Sequence, residues 1–158
     1  MGQLDGAELV ESVGELYEPL AEDAGASLTI GRRPDAIFTG NRELISQALS
    51  NLIDNALKYG RPPEGHGAPA VALSVSADAD HVSFVVADRG PGIPEADRAR
   101  VLERFVRLDG ARSKPGFGLG LSLAAGVARL HGGSLRLEDN EPGLKAVLTL
   151  PRRTEGAS

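Results

Sequence analysis

The stretch from Asn41 to Gly60, NRELISQALSNLIDNALKYG, constrains this chain more than any other. Asparagine is a good helix N-cap, because its side chain accepts a bond from an otherwise unpaired backbone N–H. Behind Asn41, the residues Ile45, Leu49, Leu52, Ile53, Ala56 and Leu57 recur at helical spacing and make a wide apolar face. Opposite lie Asn51, Asp54, Asn55 and Lys58. At ~100° per residue these four fall within roughly a third of the helix circumference. Two carboxamides, a carboxylate and an ammonium beside a buried face fit the floor of a polar pocket. Taken alone, they fit a solvated helix face as well.

A length of 158 residues fits one domain, 1–158, with a proper core. The formal net charge is −5 with acids and bases interspersed, which argues against a surface built for nucleic acid or anionic lipid. There is no cysteine, so disulfides, thiolate metal sites and thiol catalysis are excluded. No apolar run approaches the ~20 residues of a membrane helix, and no signal peptide is visible. The opening MGQLDGAELVES reads as an abrupt start just ahead of a helix, as in a truncated chain.

Along the chain, Leu9, Val13, Leu16 and Leu20 predict a helix from Ala7 to about Gly25, with Pro19 expected to kink or interrupt it. Ser27–Ile30 and Ala36–Thr39 read as short strands, followed by the Asn41 helix and a loop from Gly60 to Pro69. Ala70–Ala77 and His81–Asp88 alternate as a hairpin pair. Pro94 to Phe105 reads as a short helix, Val106 to Phe117 as a mobile loop, and Gly118 to His131 as a second amphipathic helix stopped by Gly132-Gly133. Ser134–Glu138 and Lys145–Leu150 read as a final hairpin. Strands and helices mix without regular βαβ alternation, which predicts an α+β sandwich: helices on one face of a mixed, mostly antiparallel sheet.

Two further segments carry chemistry. The strand HVSFVVAD ends on the carboxylate of Asp88, and Arg89-Gly-Pro-Gly-Ile-Pro94 follows at once. A carboxylate beside glycines can reach a cleft walled by bare backbone and accept bonds from an amine, or it can simply cap a turn. Lys114-Pro-Gly-Phe-Gly-Leu-Gly-Leu121 then places Gly116, Gly118 and Gly120 before and into a helix. Successive backbone N–H groups at a helix start suit anionic oxygens, and Arg107, Arg112 and Lys114 add flanking cations; a flexible hinge is the other reading. No GK[ST] follows and no strand leads directly in, so this is neither a P-loop nor a Rossmann fingerprint.

In combination, and in this order, the segments resemble the catalytic and ATP-binding domain of bacterial sensor histidine kinases, in the superfamily of DNA gyrase and MutL. Asn51-Leu-Ile-Asp-Asn-Ala-Leu-Lys-Tyr59 is similar to the N box, and Asp88-Arg-Gly-Pro-Gly92 to the first glycine box. Glu103-Arg-Phe-Val-Arg107 is similar to the F box, Gly116-Phe-Gly-Leu-Gly-Leu121 to the second glycine box, and Arg129-Leu-His-Gly-Gly133 to a trailing family pattern.

The resemblance implies a Bergerat-type two-layer sandwich of about five strands and about three helices, with ATP and Mg2+ as cofactors. It implies that Asn55 coordinates the magnesium, that Lys58 and Arg107 neutralise phosphate, and that Tyr59 lines the nucleotide site. Asp88 would accept the exocyclic amine of adenine, with Gly90, Gly92 and Ile93 beside the base. Guanine offers a carbonyl there, so ATP is expected over GTP. The lid would be Val106 to Phe117, with Lys114, Gly116, Gly118, Leu119, Gly120 and Leu121 at the phosphates. Asn51 stands where the superfamily's hydrolases carry a glutamate that activates water. A carboxamide cannot do so, which favours phosphoryl transfer over hydrolysis.

None of His66, His81 and His131 lies in a helix suited to a phosphoacceptor. The implied partners are therefore a histidine-bearing dimerisation domain of the parent kinase and a response regulator downstream. Nucleic acid and direct membrane contact are not implied, and the isolated domain is expected to be a cytoplasmic monomer, whether or not its parent is anchored in the inner membrane. The competing expectation is a degenerate module of this fold that binds nucleotide or a partner without transfer. Gly143-Leu-Lys-Ala146 departs from the family, which often has a small hydroxyl residue after the glycine; the variation is expected near the phosphate side.

Overall fold

A two-residue alternation of buried and open positions decides the architecture. In β4 (Ala70–Ala77) and β5 (His81–Ala87), Val71, Leu73, Val75, Val82, Phe84 and Val86 are buried, and the residues between them are partly or fully open. A sheet with one dry face needs one covering layer. The computed structural model describes residues 2–31, 36–59, 62, 67–90, 117–140 and 143–152. In chain order these form β1 (Gly2–Asp5), α1 (Gly6–Asp23), β2 (Ser27–Gly31), β3 (Ile37–Gly40), α2 (Arg42–Tyr59), β4, β5, α3 (Phe117–Leu130), β6 (Ser134–Asp139) and β7 (Leu144–Pro151).

Five of the strands make one sheet in the order β2-β4-β5-β7-β6. β2 runs parallel to β4, and every other neighbouring pair is antiparallel. Register keeps the apolar residues on one face: Val82 pairs with Leu150, Phe84 with Leu148, and Leu135 with Leu148. On the other face Ser83 and Thr149 share a hydroxyl hydrogen bond of 3.2 Å. α1 packs on β2 and β4, α2 on β4 and β5, and α3 on β6 and β7, so the helices and the dry face enclose one core. The expected α+β sandwich is what the chain forms.

α2 starts as its sequence dictates, with Asn41 Oδ1 accepting from Leu44 N at 3.0 Å. Ile45, Leu49, Leu52, Ile53 and Ala56 are buried along its apolar face. The helix burial pattern of α1 differs from expectation. Leu9 and Val13 are buried, but Val10, Tyr17 and Ala21 complete the stripe while Leu16 and Leu20 are exposed. At ~100° per residue Leu20 falls between Leu9 and Val13 and Leu16 about 20° beyond Leu9, at one edge of the stripe, so helical spacing alone does not decide their burial. Pro19 does not interrupt α1. It stands with Glu15 on the exposed side, where water can serve the carbonyl left without a donor.

The opening residues are not merely a lead into a helix: β1 pairs antiparallel with β3 as a separate two-stranded sheet, and Asp5 caps α1 by accepting from Ala7 N at 3.0 Å. The expected helix from Pro94 to Phe105, nearly all of the loop from Val106 to Phe117 and much of the loop from Gly60 to Pro69 lie outside the described residues.

His131 fastens the end of α3 to the start of α2. Its Nδ1 donates to Val127 O at 2.8 Å and its Nε2 accepts from Asn41 N at 3.0 Å, an arrangement that requires the neutral ring. At Gly132 the backbone turns through φ 76, and Gly133 N closes back on Ala128 O at 2.8 Å. The histidine is buried and structural, as a helix-end role predicts. His131→Ala leaves the Asn41 N–H without its partner, while the Val127 carbonyl keeps its bond from the backbone N–H of residue 131, and should lower unfolding free energy by about 1–3 kcal/mol. Urea denaturation checks this, and a change below ~0.5 kcal/mol would contradict it.

Candidate functional site

Because His131 meets Asn41 and the two helices pack along one another, α3 runs antiparallel to α2. At a rise of ~1.5 Å per residue, the start of α3 comes roughly level with Asn55. The first turn of α3 contains Gly118, Leu119 and Gly120, and Leu121 behind them is buried. The first-turn backbone N–H groups, which have no partner within the helix, therefore stand near the Asn55 level of α2, where a helix start favours negative charge.

That flank is not a solvated face. Asn55 is buried and Asn51 half-buried, and the Nδ2 atoms of both are shut off from solvent with no hydrogen-bond partner among the described residues. An unmet buried amide costs about 1–3 kcal/mol, so two on successive turns mark a place that calls for polar partners beyond the described residues. Lys58, one turn further, is exposed. Asp54 is not part of this row. It faces α1, where the Tyr17 hydroxyl lies 3.5 Å from Asp54 Oδ2. Burial, then the charge of Asp54, pushes the Tyr17 phenol above its ordinary pKa.

Asp88 sits buried just past the end of β5. Its Oδ1 accepts from Gly90 N and from Leu144 N, each at 3.0 Å. Among the described residues Oδ2 has no such bond. Burial pushes the carboxyl pKa up from its ordinary value, while the two backbone donors pull it down. Among the described residues, one carboxylate oxygen is thus tied to main-chain donors and the other keeps its acceptor capacity.

The structure thus brings Asn51, Asn55 and Lys58 onto one flank of α2, alongside the first turn of α3, and sets Asp88 and Gly90 at the end of the strand beneath α2. Tyr59 ends α2. Gly92, Ile93, Arg107, Lys114 and Gly116 lie outside the described residues. Leu144, a variation expected near the phosphate side, lies against Asp88, the residue expected to read the base. Sequence reasoning also missed Asn140, whose Nδ2 donates to Asp88 O at 2.7 Å. The only signal was a polar residue three positions before a glycine at a hairpin turn.

Comparison with known proteins agrees with this geometry. Residues 40–154 match the family described as histidine kinase-, DNA gyrase B-, and HSP90-like ATPase. The signal transduction histidine-protein kinase/phosphatase MprB of Mycobacterium tuberculosis H37Ra is 49% identical over 121 residues, covering 71% of this chain and 23% of that protein. The chain therefore spans under a quarter of the curated relatives it matches. Among solved structures, a mycobacterial sensor histidine kinase MprB is similar with a TM-score of 0.73 and 30% identity, over 96% of this chain and 97% of the other. The catalytic domain of histidine kinase ThkA shares the fold at a TM-score of 0.81 and 22% identity, over 97% of each chain.

Burial raises the folded pKa of Asp88, so its contribution to stability is present below the ordinary carboxylate range and is lost as pH rises through the folded value. Asp88→Asn keeps an oxygen for Gly90 and Leu144 and removes the buried charge. It should be at least as stable as the parent at about pH 7, with any advantage shrinking toward about pH 4. Urea unfolding at both values checks this; a variant less stable by more than ~1 kcal/mol at the higher pH would contradict it.

Proposed function

The chain belongs to the histidine kinase-, DNA gyrase B- and HSP90-like ATPase family, and from that membership we propose that it is the ATP-binding catalytic domain of a sensor histidine kinase. In this role it donates the γ-phosphoryl group of ATP to a histidine on a dimerisation domain, from which a response regulator is served. The observation that carries the proposal is Asp88, a buried carboxylate with one oxygen tied to main-chain donors and the other uncommitted among the described residues. Such an oxygen accepts from the exocyclic amine of adenine. The carbonyl of guanine would meet it acceptor to acceptor, so ATP is favoured over GTP.

The buried carboxamide of Asn55 suits a hard cation that keeps most of its ligands as water and phosphate. Magnesium, when bound there, supplies neutralisation of phosphate charge. Lys58 extends from the same flank into solvent, within the chemistry of phosphate recognition, and the first-turn amides of α3 add donors for phosphate oxygens. Arg107, Lys114, Gly116, Gly92 and Ile93 complete the site on the resemblance to the family, with Tyr59 at its rim. Transfer then rests on positioning and electrostatics.

Asn51 separates kinase from hydrolase chemistry. Its carboxamide cannot take a proton from water, and it is enclosed on the same flank as Asn55. The acceptor must therefore be a better nucleophile brought from elsewhere, which a histidine imidazole is. Two measurements test this. Mixing the chain with a dimerisation domain from the parent kinase and magnesium ATP should yield acid-labile phosphohistidine, and no phosphate on the histidine would overturn the proposal. Asn51→Glu should raise magnesium-dependent ATP hydrolysis by about tenfold or more, since a positioned base contributes roughly 10²–10⁴-fold at best; an unchanged rate would remove the assigned meaning of that position.

A further inference from the structure

The turn between β6 and β7 has no part in the roles given above, yet it holds Asp88 on several sides. Asp88 N donates to Leu144 O at 2.9 Å, and Leu144 N returns a bond to Asp88 Oδ1 at 3.0 Å. Asn140 Nδ2 donates to Asp88 O at 2.7 Å, while Asn140 N closes the turn on Gly143 O at 3.1 Å. Gly143 has φ 114, and a Cβ there would lie 1.9 Å from the Asp88 carbonyl oxygen. Only glycine lets the turn come this close.

The Asp88 carbonyl belongs to the peptide unit that leads through Arg89 to Gly90, whose N–H holds Oδ1. Rotation of that unit would carry the Gly90 donor away and leave Oδ1 held by Leu144 N alone, so that the carboxylate is less firmly fixed. Pinning the carbonyl therefore pins the carboxylate. We propose that Asn140 is a positioning residue: its carboxamide, carried to the Asp88 carbonyl by the glycine-dependent turn, fixes the direction in which Oδ2 is offered to the amino group of a purine. This rests on Asp88 being the adenine reader. A hydrogen bond between a fixed acceptor and an incoming donor loses less freedom on forming, so the value of the amine depends on Asn140.

The test compares magnesium ATP with the magnesium complex of purine riboside triphosphate, which lacks the amino group, by calorimetry on the whole chain. The wild type should lose about 10–100-fold in affinity when the amine is absent. In Asn140→Ala the same deletion should cost less than about fivefold, with ATP affinity reduced and affinity for the amine-free nucleotide nearly unchanged. Asn140→Ser, which keeps a shorter donor, should fall between. Circular dichroism melting establishes that each variant is folded, and if the alanine variant is not, the serine variant decides by the same comparison. Equal losses for both nucleotides, or full retention of amine dependence, would mean a merely structural residue and overturn the proposal. A wild type that binds ATP without amine dependence would overturn the adenine reading and this inference together, a result distinct from either variant failure.

Discussion

The site depends on α2 being pressed against the sheet and α3 along its length. An apolar face of Ile45, Leu49, Leu52, Ile53 and Ala56 cannot leave water, and burying it carries the adjacent carboxamides part of the way in. The two Nδ2 atoms of Asn51 and Asn55 are then out of reach of solvent, with no partner among the described residues. Buried amides left unmet cost about 1–3 kcal/mol each, so their place on successive turns calls for partners beyond the described residues, which the proposed metal-bound triphosphate would supply.

Asp88 applies the same principle at the neighbouring strand. Its burial disfavours the charged carboxylate, and two backbone donors from different segments recover part of that cost. Those donors occupy one oxygen, and the other has no partner among the described residues. Antiparallel packing of α3 on α2, fastened by His131 to Asn41, brings the start of α3 to the same end of the molecule. The helix start, the carboxamide flank and the carboxylate thus share one framework, and the phosphate-binding and base-reading roles proposed for them rest on polar groups without partners among the described residues.

Much of this was legible in sequence because it rests on local rules. The Asn41 cap, the apolar stripe of α2 and the alternating strands follow from hydrogen bonding and periodicity within a few residues, and the order of N box, glycine boxes and F box resembles one family. What escaped depends on contacts distant in sequence. Leu16 and Leu20 matched helical spacing, but the sheet selects the stripe of Val10, Tyr17 and Ala21, which no pattern within α1 reveals. Asp54 shares a helix flank with Asn51 and Asn55 yet turns to Tyr17, 37 positions away. Leu144 and Asn140 reach Asp88 across 56 and 52 positions, and a hairpin turn carries no mark of the strand end it will brace. The pairing of β1 with β3 was hidden for the same reason.

The most direct measurement is a calorimetric titration of the chain with a non-hydrolysable ATP analogue, with and without magnesium, repeated on Asp88→Asn. Binding that strengthens with magnesium in the wild type and is lost in a folded Asp88→Asn protein is the result expected from a buried carboxylate reading the base and a carboxamide flank favouring a metal-bound triphosphate. Undetectable binding to the folded wild type, or equal binding to the variant, would contradict it.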